Sequence, residues 1–308
     1  MKEQFINKRF NAKSVATINE ANSIIDEYLG KGFSLTVRQL YYQFVARGMM
    51  KNEQRNYKRL VKLMSDARLA GLTDWKALED RTRNLAGGDC GFENPDEYMR
   101  SIGSDYSKEW WTGQKNYVEV WVEKEALAGV ISKPCRKWRV NYFSCRGYTS
   151  QSEQYKAGRR FYEQLSLGKS CYLLHLGDHD PSGIDMTRDN NDRLDMFSPS
   201  AVTVERMALN MDQVREQRPP PNPAKETDSR HGAYLANYGS KSWELDALDP
   251  DYISDLITTR IEELVDMDLM NARKREEADE RYRITEIGEA ISENYEEVQA
   301  YLEDQGWL

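Results

Sequence analysis

Apolar residues recur through the first part of the chain at the spacing of amphipathic helices. The pattern predicts helices over residues 14–29, 36–47 and 54–70. From Asn116 onward, short apolar runs alternate with helical stretches. Strands are predicted at 116–123, 137–145, 170–177 and 201–208, with a helix at 151–165. Strands that alternate with helices are typical of a parallel sheet covered by helices, so we expect an α/β fold.

Changes in composition divide the chain into four segments. The start of residues 86–115 is rich in Gly, Asn and Pro, which favours a linker. Residues 251–308 have a helical pattern and many acidic side chains. The predicted organisation is a helical domain at 1–85, a linker at 86–115, an α/β domain at 116–250 and an acidic helical region at 251–308.

The net charge of -8 is distributed unevenly along the chain. Residues 1–85 carry 16 Lys and Arg against 9 Asp and Glu, whereas residues 244–308 carry 6 against 20. Phosphate contacts depend on the local field, so the basic N-terminal part is a candidate DNA-binding surface. An ordinary basic domain joined to an acidic tail would give the same distribution, so charge alone leaves DNA binding open.

The segment over residues 34–48 combines helix signals with a pair of tyrosines. Thr36 and Gln39 have the spacing of a capping box, and Gly48 is placed to end the helix. The predicted buried stripe consists of Val37, Leu40, Tyr41, Phe44 and Val45. Tyr42 falls outside this stripe and shares a face with Arg38, one turn earlier. An exposed tyrosine beside an arginine favours a nucleophile whose phenolate the cation stabilises. The alternative is two aromatic residues that pack at a domain interface.

The next predicted helix has a basic face. Its apolar stripe (Tyr57, Leu60, Val61 and Met64) lies opposite Arg55, Lys58, Arg59 and Lys62. A basic helix that follows a short helical unit suits the recognition helix of a winged-helix or helix-turn-helix module. A solvated charged face would give the same pattern.

Acidic side chains end two of the predicted strands. Glu123 stands where the first strand gives way to a helix, and Asp178 and Asp180 follow the third strand. Ligands of open α/β sheets bind at the carboxyl ends of strands, so these acids are expected to meet in one crevice. Carboxylates with water and phosphate oxygens are the usual ligands of Mg²⁺, and we predict a magnesium site here, with Mn²⁺ as a possible substitute.

Other polar residues near these motifs have weaker signals. Glu125 and Asp185 are expected to be solvated surface acids. His179 stands between the two aspartates, but oxygen ligands dominate magnesium sites, so it is not favoured as a ligand. His175 lies inside an apolar run and is predicted to be a hydrogen-bonded core residue.

Together these motifs resemble a known family. Glu123-Lys124, Arg146-Gly147 and the Asp178-x-Asp180-Pro-x-Gly183 run resemble the Toprim domain of topoisomerase VI A subunits and of the meiotic double-strand-break protein. Arg38-x-x-Tyr41-Tyr42 resembles the catalytic motif of the same family, within a CAP-like winged-helix domain that precedes Toprim. The similarity covers roughly residues 30–250 and is closest to short free-standing relatives termed mini-A.

The resemblance implies a type IIB topoisomerase-like activity on double-stranded DNA. Tyr42 would form a 5′-phosphotyrosyl link with help from Arg38, while Glu123, Asp178 and Asp180 would hold magnesium. Arg146 would contact DNA with the basic helix. The family dimer takes its tyrosine and metal site from different subunits, which implies a homodimer. We see no ATPase module, so strand passage would need a partner such as a topoisomerase VI B-like subunit.

The sequence favours a cytoplasmic, nucleoid-associated protein. No run of about 18 apolar residues predicts a membrane span, and the N-terminus lacks the basic-then-apolar layout of a secretory signal. The four cysteines are scattered without a Cys-x-x-Cys pair, which favours reduced thiols.

Two other functions are compatible with the same motifs. One is a Toprim metal nuclease in which water attacks DNA and Tyr42 is structural. The other is a non-catalytic DNA-binding or interaction protein that keeps the fold, with the acidic tail contacting a partner.

Overall fold

The computed structural model describes residues 2–79, 91–198, 202–224 and 228–307. Over these residues the chain forms twelve α-helices and a four-stranded parallel sheet, which confirms the predicted α/β class. The described residues form two compact units. The first contains residues 2–79, 116–198, 202–224 and 228–264, and the second contains residues 91–115 and 265–307.

Three helices make up the N-terminal part of the first unit: α1 (Ala12–Gly30), α2 (Val37–Ala46) and α3 (Gln54–Leu69). All three were predicted. The Thr36 side chain accepts a hydrogen bond from Gln39 N while the Gln39 side chain accepts one from Thr36 N, which confirms the capping box. Gly48 has φ of 70° and ends α2 in the conformation that glycine favours. Within residues 2–79 the β-structure consists of isolated bridges, such as that between Leu35 and Leu78.

The sheet contains β1 (Asn116–Val122), β2 (Asn141–Ser144), β3 (Ser170–Leu176) and β4 (Val202–Ala208), in the order β2-β1-β3-β4. The two central strands are apolar and largely buried, as expected for a sheet covered on both faces. The prediction of a strand at 137–145 begins too early, because β2 starts at Asn141. Lys137 and Trp138 end helix α5 (Ala128–Trp138), and the left-handed Arg139 turns the chain into β2.

Helices cover both faces of the sheet. On one face, α6 (Gln151–Ser166) and α7 (Pro181–Phe197) pack on a core that includes Trp121, Phe161, Leu173 and Leu194. Helix α5 lies against β1 and also contacts α10 (Pro250–Leu264). Helix α8 (Met211–Gln217) precedes a short antiparallel pair, β5 (Asn222–Pro223) and β6 (Lys241–Ser242), and helix α9 (His231–Tyr238) lies between these two strands in the chain. The extended loop predicted at 219–223 includes β5.

The second unit consists of α4 (Pro95–Asp105), α11 (Met267–Glu293) and α12 (Tyr295–Asp304). Helix α4 packs closely on α11, and a Cβ added at Gly288 would lie 2.2 Å from the Met99 carbonyl oxygen. Residues 91–115, part of the predicted linker, therefore include a packed helix, whereas residues 86–90 lie outside the described residues. Helices at 251–304 confirm the predicted C-terminal helical pattern. No helix of the described chain is long and apolar enough to cross a membrane.

Candidate active site

The first two acids meet where β1 and β3 end side by side. Glu123 directly follows β1 and Asp178 lies two residues beyond β3, and these strands pair in parallel along their whole length. The Glu123 Oε2 atom accepts a hydrogen bond from Asp178 N at 2.8 Å. Both side chains are less than a tenth exposed. The expected convergence of the two strand-end acids is therefore observed.

Asp180 begins the helix that follows the third strand. Its Oδ1 atom accepts hydrogen bonds from Gly183 N at 2.7 Å and from Ser182 Oγ at 3.0 Å. A Cβ added at Gly183 would lie 2.2 Å from the Asp178 carbonyl oxygen, so the turn requires glycine there. The Asp-x-Asp-Pro-Ser-Gly run is thus a tight strand-to-helix turn with Asp180 as the N-cap of α7.

A segment distant in sequence completes the site. His179 and Trp243 exchange two backbone hydrogen bonds of 2.8 and 2.9 Å, which bring the 3₁₀ helix Leu245–Ala247 beside the strand ends. Leu245 N donates to Asp178 Oδ1 at 2.8 Å. This pairing adds two further acids to the site, Glu244 and Asp246.

Sequence reasoning missed Glu244 and Asp246. They follow a strand of only two residues, which is too short to be predicted from the sequence. One signal was present: the two acids alternate with Trp243, Leu245 and Ala247, which are all buried. Alternation of charged with apolar residues is also the ordinary pattern of a half-buried strand, so it does not point specifically to a functional site.

The Lys124 ammonium joins three of the acids. Its Nζ atom lies 2.9 Å from Asp178 Oδ2, 2.7 Å from Glu244 Oε2 and 2.9 Å from Asp246 Oδ1. Burial by itself disfavours the charged amine, but Asp246, Asp178 and Glu244 outweigh it and raise the pKa of Lys124 well above its ordinary value. Burial also disfavours the charged form of Asp178 and raises the pKa of this carboxyl to about 7, although the Lys124 charge opposes the shift.

Arg38 and Tyr42 face the same acids from α2. The Arg38 guanidinium forms ion pairs with Glu244 and, at 3.2 Å, with Asp246. It also donates to the Tyr42 hydroxyl at 3.3 Å, which agrees with the predicted shared face of these two residues. Tyr42, Asp178 and Asp180 line one cavity of about 440 Å³.

Tyr42 is only 4% exposed, so the expectation of an exposed tyrosine is wrong. A helical wheel places Tyr42 off the apolar stripe, but the Glu244–Asp246 segment covers that second face of α2. Burial, reinforced by Asp246 and Glu244, raises the pKa of Tyr42 to about 12 against the opposing effect of Arg38. Tyr42 therefore presents a neutral hydroxyl to the cavity.

Tyr41 has a structural role, as its position in the stripe predicts. Its hydroxyl accepts a hydrogen bond from Glu53 N at 2.8 Å and lies 3.1 Å from the carbonyl oxygen of Lys51. The ring packs against Tyr57 with centroids 5.5 Å apart. These contacts fix the connection between α2 and α3.

The predicted basic face of α3 is exposed. It consists of Arg55, Lys58, Arg59 and Lys62, none of which forms an ion pair within the described residues. Arg59 and Lys62 also border a cavity of about 380 Å³, which is lined by the basic residues Lys13 and Lys51 and by two acids, Glu20 and Asp66. The N-terminal helices therefore present a concentrated positive surface to solvent.

The remaining candidate residues lie outside the cavity. Arg146 is 70% exposed and forms an ion pair with Glu125. Asp185 is paired with Arg188 and with Arg230 at 2.7 and 2.8 Å. Glu125 and Asp185 are thus compensated by arginines and are less exposed than expected of solvated acids.

His175 and His179 both have hydrogen-bond partners. The fully buried His175 ring forms a hydrogen bond of 2.8 Å with Thr187 Oγ1, which confirms the predicted core role. The His179 ring forms one of 2.7 Å with the Tyr234 hydroxyl and packs against Tyr238 and Trp243. His179 thereby supports the segment that carries Glu244.

The donor set suits a hydrated magnesium ion better than an all-protein cage. Among the described residues, no three His, Cys, Asp or Glu side chains already converge as a ligand group. Asp178 and Asp180 do line the open cavity, and the Lys124 ammonium on Asp178 Oδ2 marks where a cation is favoured. Mg²⁺ usually keeps several waters and takes one or two carboxylates with substrate phosphate, so these residues fit the ion.

Comparisons of the chain with protein-family models, with curated proteins and with solved structures gave no match.

We predict a pH effect on stability from His175. Burial, reinforced by Arg206, lowers the pKa of this imidazole from 6.5 to about 3. Below about pH 6.5 the unfolded chain binds a proton that the folded chain does not. His175 therefore lowers the free energy of unfolding as pH falls from 6.5 toward 3, by up to ~1.4 kcal/mol per pH unit.

Urea denaturation of the wild type and of His175→Gln at a series of pH values measures this effect. The raised pKa values of Glu123 and Asp178 act in the opposite direction, but they are present in both proteins. The difference between the two stability curves should shrink or change sign as the pH is lowered. Parallel curves would show that His175 has no such linkage.

Proposed function

We propose that this protein cleaves double-stranded DNA by transesterification, in the manner of topoisomerase VI A subunits, with Tyr42 as the nucleophile. The observation that carries the proposal is the shared cavity. Tyr42, Arg38, Asp178 and Asp180 line it together, so a tyrosine hydroxyl, a guanidinium and two carboxylates border the same cavity. This combination supplies a nucleophile, an anion partner and metal ligands within one site.

In the proposed reaction the Tyr42 oxygen attacks a backbone phosphorus. A bond from the tyrosine oxygen to phosphorus forms while the bond from phosphorus to the 3′-oxygen breaks, which leaves a 5′-phosphotyrosyl link and a 3′-hydroxyl. The hydroxyl must lose its proton in this step, because its pKa of about 12 keeps it neutral beforehand, and the departing 3′-oxygen gains one proton, so that no net proton is lost. Arg38, 3.3 Å from that oxygen, stabilises the charge that develops.

Asp178 and Asp180, with Glu123 behind them, would hold magnesium or manganese. When bound, the ion would supply positive charge to the scissile phosphate. Glu123 orients the pair because it accepts the hydrogen bond from Asp178 N. Lys124 positions Asp178 from the other side and keeps Glu244 and Asp246 compensated.

The N-terminal helices would bind the DNA as a module of the winged-helix type. The exposed basic face of α3 supports this role, since positive side chains without carboxylate partners release counterions when they contact phosphates. The domain that contains the four-stranded sheet (the sheet domain) would be of the Toprim type. Its largely exposed Arg146 would add a further contact with DNA.

The resemblance extends the proposal to assembly and location. The protein would act as a homodimer so that both strands of a duplex are cut. Strand passage would need an ATPase partner similar to a topoisomerase VI B subunit, and without one the protein would only nick or cleave DNA. Its place would be the cytoplasm, in association with the nucleoid.

A metal nuclease is the second candidate, and the burial of Tyr42 favours it. A hydroxyl with a pKa of about 12 is a poor nucleophile until it is deprotonated. The acids at the strand ends, by contrast, are arranged without help from Tyr42. In this alternative a water molecule attacks the phosphate, and Tyr42 has only a structural role through its hydrogen bond and ring contact with Arg38.

Substitution of the proposed nucleophile is the test. Tyr42→Phe should reduce covalent protein–DNA adduct by at least ~10³-fold, because removal of a nucleophile commonly costs more than this. Tyr41→Phe is the matched control, since it removes a hydroxyl that bonds only to the α2–α3 connection and should keep adduct formation. The adduct is measured on end-labelled DNA after denaturation of the reaction.

Each result of this assay selects one function. Adduct in the wild type and not in Tyr42→Phe supports the tyrosine mechanism. Free cleaved ends that form at equal rates in the wild type and in Tyr42→Phe would support the metal nuclease instead. If the wild type binds DNA but cleaves it with none of the metal ions tested, the protein is a non-catalytic DNA-binding protein.

Charge reversal on α3 tests the DNA-binding surface. Lys58→Glu, Arg59→Glu and Lys62→Glu together should weaken DNA affinity and lower the slope of log K against log salt by roughly 0.9 for each phosphate that the helix no longer neutralises. Lys156→Glu with Arg159→Glu on the exposed side of α6 is the control and should change the slope little. An unchanged slope in the α3 variant would mean that this helix does not contact DNA.

A further inference from the structure

The turn over residues 177–183, which bears both aspartates of the candidate metal site, is held by a side chain of the neighbouring strand β4. Arg206 Nη2 donates to the Asp178 carbonyl oxygen at 2.6 Å and to the Gly177 carbonyl oxygen at 3.1 Å. Arg206 Nη1 donates to the Gly183 carbonyl oxygen at 2.8 Å. One guanidinium therefore joins the two ends of this segment, which we term the aspartate turn.

A guanidinium suits this position because its N–H donors point outward from one rigid plane. It can therefore bind carbonyl oxygens at both ends of the turn at the same time, which the compact ammonium of a lysine cannot do. Within the described residues, the hydrogen-bond acceptors of Arg206 are main-chain oxygens and one hydroxyl. Arg206 thus fixes the backbone of the aspartate turn and leaves the carboxylate oxygens to other donors or to a cation.

Thr187 of α7 fixes the Arg206 guanidinium in turn. Arg206 Nη1 donates to Thr187 Oγ1 at 2.8 Å, and the same oxygen lies 2.8 Å from Nδ1 of the fully buried His175. His175 of β3 is also the register partner of Arg206 across the two strands. These three side chains form a hydrogen-bonded network that connects β3, β4 and α7 at the aspartate turn.

The placement of the two carboxylates matters for a small, hard cation. Mg²⁺ requires nearly octahedral ligands at about 2.0–2.1 Å, so small shifts of its ligands weaken binding. Asp178 and Asp180 are two residues apart, and the backbone between them sets the separation of their carboxylates. A turn that moved freely would have to become ordered when the ion binds, and this ordering would lower the affinity.

We propose that Arg206 is a positioning residue for the metal site. It holds the aspartate turn in the conformation in which Asp178 and Asp180 receive a divalent cation, and Thr187 supports it. The inference rests on the proposed function and adds to it a residue that acts on the backbone of the ligands rather than on the ion.

Arg206→Lys is the test, because it keeps the positive charge near the acids and removes the planar set of donors. We expect its affinity for Mg²⁺ and Mn²⁺, measured by calorimetric titration without DNA, to fall by roughly 10- to 100-fold, as is usual when a group that orients metal ligands is lost. Arg260→Lys is the matched control. Arg260 of α10 pairs with Glu205, the residue before Arg206, at 2.9 Å, and this variant should keep the wild-type affinity.

A pair of substitutions at Thr187 keeps the test decisive if Arg206→Lys does not fold. Thr187→Val removes the hydroxyl that binds the guanidinium and keeps the shape of the side chain. Its metal affinity should fall by roughly three- to tenfold, the effect of one hydrogen bond. Thr187→Ser keeps the hydroxyl and should retain the wild-type affinity. In that case, equal affinity of the two Thr187 variants would overturn the proposal.

Hydrogen exchange of the metal-free protein separates positioning from general stabilisation. In Arg206→Lys the amides of residues 177–183 should exchange faster, while those of β1 keep their protection. A lower urea midpoint with wild-type metal affinity would show that Arg206 only stabilises the fold, and the proposal would then be wrong. A wild type that binds neither ion overturns the proposed metal site itself, and this inference with it.

Discussion

The ion pairs of one buried lysine organise the site. Lys124 holds Asp178 at the end of one strand, and Glu244 and Asp246 on a segment more than 60 residues away. Buried carboxylates are strongly unfavourable unless a cation compensates them. Lys124 supplies that charge within the sheet domain, and Arg38 supplies it from α2. The position of Tyr42 depends on this arrangement, because Arg38 connects its hydroxyl to the same acids.

The charges around the cavity are not fully balanced by the protein. Six carboxylates gather there: Glu53, Asp178, Asp180 and Glu244 line the cavity, while Glu123 accepts a hydrogen bond from Asp178 N and Asp246 pairs with Lys124. Three basic side chains face them, namely Lys124, Arg38 and Arg206. The raised pKa of Asp178, about 7, is one consequence of burial among these acids. A divalent cation would restore the balance, which links the stability of the site to the proposed chemistry.

The parts of the site that were predictable depend on local chemistry or on sheet geometry. Thr36 and Gln39 could be recognised because a capping box is a four-residue pattern. Glu123 and Asp178 could be paired because neighbouring parallel strands end at one edge. The burial of Tyr42 could not be predicted, since a helical wheel assumes that one face of α2 meets water. Glu244 and Asp246 could not be assigned to the site because their partner Arg38 is about 200 residues away in the chain. The helix within residues 91–115 was not predicted because α4 has no packing partner nearby in sequence.

Metal binding at the strand ends is the central claim, and calorimetric titration tests it most directly. Wild type, Asp178→Asn and the control Asp185→Asn are titrated with Mg²⁺ and Mn²⁺ in the absence of DNA. We expect binding to the wild type and to the control, whose acid is compensated by Arg188 and Arg230. For Asp178→Asn we expect an affinity at least about tenfold lower, a loss of roughly 1.4 kcal/mol of binding free energy. Equal affinity of all three proteins would show that the ends of β1 and β3 do not bind the metal.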